Sequence, residues 1–186
     1  MNIIKTHIAG VLILEPRIFK DSRGYFYESY NKKEFDRMVG TTDFVQDNIS
    51  CSRRGVMRGL HFQRPPHAQA KLVRCMEGAV LDVALDIRVG SPTYGQYVSC
   101  LLTGDNFRQF FIPRGFAHGF VVLSDKAVFQ YKCDNFYAPD AEGGIDICDS
   151  SLNIDWGLDP SEVILSDKDS GHPLLSEFVS PFTYEK

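Results

Sequence analysis

Two histidines sit in settings that could do chemistry. His61 lies in Gly59-Leu60-His61-Phe62-Gln63, and His118 lies in Pro113-Arg114-Gly115-Phe116-Ala117-His118-Gly119-Phe120. Both are surrounded by apolar residues, Gly and Pro, which fits the wall of a pocket better than a solvated surface. A metal-dependent β-barrel enzyme typically supplies His-x-His and a downstream Glu from one segment and another His from a second. Here Phe62 and Gln63 follow His61, so the partner histidine is missing. Two imidazoles without a thiolate or a placed carboxylate fall short of the three protein ligands that a catalytic metal takes. The expectation is no metal and no cofactor, which leaves proton transfer or binding alone.

Such side chains need a scaffold. The chain has 186 residues, 44% of them hydrophobic and 24% charged, which predicts one globular domain over residues 1–186. A net charge of −4 gives no basic field to hold nucleic acid, so an anionic small substrate would need a local cluster of Arg and Lys. The 5 cysteines are odd in number and scattered without CxxC, which suggests reduced thiols in a cytoplasmic protein. The apolar run at residues 8–14 ends at Glu15-Pro16 and reads as a strand rather than a signal peptide. No stretch approaches the length of a membrane span.

Strand signals dominate. Val11-Leu12-Ile13-Leu14, Leu72-Val73-Arg74-Cys75, residues 80–87, 97–102, 107–112, 119–123 and 128–132 are short and rich in β-branched or aromatic residues, with Gly, Pro, Asp and Ser between them. Residues 80–87 alternate in part, as a strand with one face on a core should. The spacing predicts a mainly β sandwich or barrel, of which the jelly roll is one kind. One helix is predicted over residues 32–39, with Asn31 as cap, Glu34 in its first turn and Gly40 at its end. A short helix is predicted at residues 160–163.

The residues then form a pattern. Asp21-Ser22-Arg23-Gly24-Tyr25-Phe26-Tyr27-Glu28-Ser29-Tyr30, Phe44-Val45-Gln46-Asp47-Asn48, Met57-Arg58-Gly59-Leu60-His61-Phe62-Gln63, Lys71-Leu72-Val73-Arg74 and Asp86-Ile87-Arg88 occur in that order. Ser91-Pro92-Thr93-Tyr94-Gly95, residues 112–120 and Leu165-Ser166-Asp167-Lys168-Asp169 follow. In order and spacing, and over nearly the whole chain, these resemble the dTDP-4-dehydrorhamnose 3,5-epimerases. The resemblance implies a cupin-type double-stranded β-helix (a jelly roll) with a few short helices. It also implies no metal, a homodimer, and action on dTDP-4-dehydro-6-deoxy-D-glucose.

Epimerising C3 and C5 beside a C4 ketone requires a base, an acid on the other face of the ring, and a cation where enolate charge grows. His61 is the candidate base, since histidine titrates near working pH. Asp169 is the candidate for orienting its ring, Tyr131 the candidate acid and Lys71 the candidate enolate stabiliser, matching the roles that the resemblance implies. Taken alone, each has a blander reading: a hydrogen-bonded strand histidine, a turn aspartate competing with Asp167, a core tyrosine, a solvated lysine. His118 is expected to line the pocket. Arg23, Arg58 and Lys168 are candidates for the diphosphate, because cationic forks match phosphate oxygens, though most such residues make only surface ion pairs. Phe26 and Tyr137 are candidates to pack on thymine, with Glu28, Gln46 and Asn48 as polar contacts. The segment 11–30 is expected to cross toward a partner subunit.

Two departures stand out. Ala70 precedes Lys71 where the family more usually has Gly, and Gly157 follows Trp156 where Pro is usual. Neither removes a proposed catalytic group, and both leave room for a relative that inverts only one carbon or takes another nucleotide-linked 4-keto sugar. A sugar-binding cupin would need the pocket but not the His61, Asp169 and Tyr131 set. A metal-dependent oxygenase would need the ligands that Phe62 and Gln63 replace.

Overall fold

The computed structural model describes residues 1–185. Two antiparallel sheets face each other. The six-stranded sheet takes the order β1 (Asn2–Lys5), β2 (Leu12–Glu15), β10 (Gln109–Ile112), β7 (Lys71–Glu77), β12 (Lys126–Cys133) and β5 (Gln46–Arg53). The five-stranded sheet runs β13 (Glu142–Gly144), β6 (Met57–Gln63), β11 (Phe116–Val122), β8 (Ala79–Asp86) and β9 (Tyr97–Thr103). A small separate hairpin pairs β3 (Phe19–Asp21) with β4 (Gly24–Phe26). This is the expected cupin-type jelly roll.

Between the sheets, one end is filled by Val73, Val80, Ala84, Val98, Phe110, Phe120, Phe129 and neighbours. The α-helix α1 (Lys32–Met38) begins where the Asn31 side chain accepts a hydrogen bond from the Glu34 amide. Its buried Phe35 packs with Leu14, Leu72 and Phe111 on the outer face of the six-stranded sheet. The helix expected near residue 160 is a 3-10 turn, Pro160–Glu162.

Two expectations need correction, at β8 and at residues 107–112. β8 was expected to bury one face, yet Val80 and Ala84 join the core between the sheets while Val83 and Leu85 join a second cluster with Ile145, Ile147 and Leu152. The chain beyond β13 wraps the outer face of the five-stranded sheet, so β8 is covered on both sides. Segment 11–30 divides between the barrel and a separate hairpin. Residues 12–14 pair with β10 in the chain's own sheet, and only the β3–β4 hairpin stands out, with Phe19, Tyr25 and Phe26 exposed. The strand expected over residues 107–112 is shorter, since Phe107 sits at φ 55° before β10 starts.

Candidate active site

Polar residues from both sheets meet in a cleft of about 380 Å³ at the open end of the sandwich. On the six-stranded sheet, alternation places them there. On β5 the odd-numbered residues are exposed while Gln46, Asn48 and Ser50 turn inward. Tyr131 lies opposite Asn48 on one side and Val73 on the other, and Cys133 lies opposite Lys71. On the facing sheet His61 lies directly opposite His118. Arg58 and His61 are three residues apart yet both line the cleft, because the β6–β11 register shifts between them. Gly59 makes this possible: its φ is +124°, and a Cβ there would come within 2.6 Å of the Gly119 backbone.

His61 Nε2 lies 2.5 Å from Asp169 Oδ1. Asp169 is buried at the start of a 3-10 turn, and its other oxygen accepts from the Ser166 hydroxyl at 2.8 Å. A carboxylate partner at Nε2 selects the tautomer with the proton there, leaving Nδ1 as the acceptor. Burial pushes the His61 imidazole down to about 4; the Asp169 carboxylate pulls upward against it, and the Lys71 charge adds to the fall. His61 is therefore a neutral acceptor at pH 7. Burial also lowers the Lys71 ammonium below 10.5, against the upward pull of Cys133 and Asp82. Its Nζ lies 5.9 Å from the Tyr131 ring centroid. The Tyr131 phenol is raised above 10.0 by burial first, so it stays protonated at neutral pH and can donate.

His118 Nε2 lies 3.0 Å from both oxygens of the fully buried Asp82, whose carboxylate accepts from it. Arg58 reaches the Ser52 hydroxyl at 3.2 Å. At the mouth, the Tyr137 hydroxyl donates to Glu142 at 2.7 Å and Lys168 Nζ lies 2.5 Å from the same carboxylate. Gln46 accepts from the Tyr137 amide at 3.0 Å and donates to Asn48 at 3.0 Å. Eight predicted residues thus line the cleft: His61, Lys71, Tyr131, Gln46, Asn48, Arg58, His118 and Tyr137. Asp169 and Lys168 hold residues of its wall. Arg23, Phe26 and Glu28 do not reach it: Arg23 pairs with Asp21 at 2.6 Å, Phe26 is 70% exposed, and Glu28 accepts from Asn31.

Residue types at three places explain themselves here. Gln63, which stands where a metal ligand was sought, donates to the His67 carbonyl at 2.8 Å and accepts from the Ala138 amide at 2.7 Å, tying two loops to β6. The Ala70 amide donates to Asp134 at 2.6 Å, which anchors the backbone before Lys71. Gly157 turns at φ +68° after Trp156. Two residues went unremarked in the sequence, Glu142 and His172. Their signal was Gly143-Gly144, a glycine pair inside a strand, which marks close approach of other groups. His61, Asp169 and His172 offer ligand atoms within 4.8 Å of one another. Ligands on one tetrahedral ion at about 2.1 Å stand about 3.4 Å apart, so the 2.5 Å His61–Asp169 contact is a hydrogen bond and not a ligand edge.

The family model for dTDP-4-dehydrorhamnose 3,5-epimerase matches residues 5–177. This chain belongs to that family. The Escherichia coli K12 dTDP-4-dehydrorhamnose 3,5-epimerase is 53% identical over 180 residues, covering 96% of this chain and 97% of its own. The Legionella pneumophila dTDP-6-deoxy-D-glucose-3,5-epimerase, solved with dTDP-4-keto-L-rhamnose, superposes with a TM-score of 0.95 at 49% identity, over 100% of this chain and 99% of its own. A Streptomyces bikiniensis 3'-monoepimerase, solved with dTDP-quinovose, superposes at 0.85 with 33% identity, over 92% of this chain and 86% of its own. This chain is thus more similar in sequence to the two 3,5-epimerases than to the 3'-monoepimerase. Among the described residues no helix is long and apolar enough to cross a membrane.

Proposed function

We propose that this chain epimerises dTDP-4-dehydro-6-deoxy-D-glucose at C3 and C5 to dTDP-4-dehydro-L-rhamnose. The observation that carries this reading is the placement of a neutral imidazole and a protonated phenol on opposite sheets of one cleft. His61 stands on β6; Tyr131 and Lys71 stand on β12 and β7. A sugar ring held between the walls loses its α-proton to His61, and the electron pair moves onto the C4 oxygen. Lys71 stabilises that enolate, a contribution worth about 3–4 kcal/mol for one well-placed donor. Tyr131 returns a proton to the opposite face, and solvent resets both groups. Arg58 serves the diphosphate, Tyr137 the thymine, and Glu142 with Lys168 closes the mouth. The chain acts as one cytoplasmic domain without a cofactor.

The test is NMR of the 4-keto substrate in D₂O. Wild type should place deuterium at both C3 and C5; label at C3 alone would make it a monoepimerase. His61→Ala should stop exchange at both carbons, a loss of about 10²–10⁴ in rate. Tyr131→Phe should still exchange but release little inverted product, because it keeps the ring and lacks the donor.

The exposed hairpin supports a homodimer. Arg23 and Phe26 present a cation and an aromatic face outside their own cleft, which suits a nucleotide held in the partner's cleft, and a two-fold contact would use the hairpin on both subunits. Mixing inactive His61→Ala with weakened Arg23→Ala chains should restore activity in the hybrid dimer. Hybrids no more active than the two parents would place each site within one chain.

A further inference from the structure

We propose that His172 is a positioning residue for His61, its ring laid edge-on against the base so that it fixes the base's orientation and keeps water from that side. The proposal rests on His61 being the base. The two imidazole rings are 5.6 Å apart at 79°, an edge-to-face arrangement. His172 Nε2 is buried and has no hydrogen-bond partner among the described residues, so the ring acts there through its bulk and edge.

The chain makes room for this ring. Gly144 pairs directly with His61 across β13 and β6. A Cβ on Gly144 would come within 2.4 Å of His172 Cδ2 and Nε2, so the ring lies on the bare glycine backbone. Gly144 has no left-handed φ that would itself demand glycine. The need is for space, and the space is beside the base. The same short turn, Asp169–Gly171, then delivers both the carboxylate and the ring. Just beyond, the Pro173 carbonyl accepts from the Asp146 amide at 2.8 Å, and the Leu175 amide donates to Asp149 at 2.8 Å. These bonds fasten the turn to the barrel.

The ring's effect has a sign. The groups around His61 are Asp169 on the turn, Lys71 on β7, Glu142 on β13, Tyr131 on β12 and His118 across the ladder on β11. Among these influences, burial dominates and holds His61 low. Removing the wall admits water, raises the imidazole toward its ordinary value and loosens its aim.

The experiment is an NMR titration of the His61 ring in the free enzyme, paired with pH profiles of kcat and kcat/KM. His172→Ala should raise the His61 midpoint by about one unit or more, lower kcat about tenfold through misorientation, and leave KM within about twofold. His172→Phe keeps an aromatic edge and should restore both. Gly144→Ala, which pushes the ring off its seat, should behave like His172→Ala and serves in its place if that variant does not fold. An unmoved midpoint, a moved midpoint with full kcat, or a His172→Phe as impaired as His172→Ala would each overturn the proposal. The titration is read without turnover, so it stands apart from the deuterium-exchange test of His61 as base.

Discussion

The two histidine–carboxylate pairs are neighbours across one ladder, yet they are built to different ends. His118 is held by Asp82, which comes from the adjacent strand β8; the side chains are 8% and 0% exposed. His61 is held by Asp169, which arrives from a turn over a hundred positions later in the chain; here the imidazole remains 26% exposed. The first pair is locked by the barrel itself. Burial raises the Asp82 carboxyl, with the His118 partner pulling it down, so that pair is a self-contained part of the wall. The second pair leaves one face of its imidazole at the cleft. The same two side chains thus make a fixture or a working base, according to how much of the ring the cleft can reach and what carries the carboxylate.

The largest effect that this comparison predicts is at Asp169. Asparagine there can turn its amide N–H toward His61, which favours the wrong tautomer and removes the stabilising charge. Asp169→Asn should lower kcat by about 10³–10⁴ while the fold persists. The measurement is steady-state turnover alongside binding of dTDP. A loss below tenfold would mean that the turn merely decorates the base.

The contrast also explains what could be read in advance. Strands rich in buried apolar residues, such as β8 and β12, carry a clear strand signal in the sequence. β5 and β6 lack it because their inward positions carry Gln46, Asn48, Ser50, Arg58 and His61 to a wet cleft. A polar cavity wall erases the very alternation by which a half-buried strand is recognised. Those segments were legible only as motifs resembling a family. Beyond residue 133 neither period persists, since the chain drapes over the sheet in short 3-10 turns anchored by isolated apolar residues. Asp169 was reached through the resemblance, whereas Glu142 and His172, whose importance depends on a turn folding back over β13, were not reached at all. The β3–β4 hairpin had the opposite problem: its residue types announced binding, but its own chain does not bring them to the cleft.

A moderate effect should appear with pH. The low position of His61, at about 4, keeps the base neutral across the physiological range. On lowering pH, kcat/KM should therefore hold until near that value and only then fall. On raising pH, the order of the other two groups matters. Burial moves the two in opposite directions, the Lys71 ammonium down from 10.5 and the Tyr131 phenol up from 10.0. The alkaline limb should follow Lys71 and move upward in Lys71→Arg, which stays charged. An acid limb near 6.5 would show that the cleft does not desolvate its base, and the contrast with the sealed His118 pair would weaken.

The smallest effect on catalysis is expected at Asp82, and here stability is the better readout. Asparagine offers one acceptor oxygen where the carboxylate offered two, both 3.0 Å from His118 Nε2. With both partners buried, an imperfectly satisfied group costs about 1–3 kcal/mol. For a chain of this size, that corresponds to a fall in Tm of about 2–12 °C. Asp82→Asn should show such a fall in a thermal melt, with kcat/KM kept within about tenfold because His118 stays in the wall. The substitution also removes a carboxylate that pulls the Lys71 ammonium upward, so the alkaline limb should drift slightly down in pH. If Asp82→Asn instead cost as much turnover as Asp169→Asn, the two pairs would share the chemistry, and the division between fixture and base would fail.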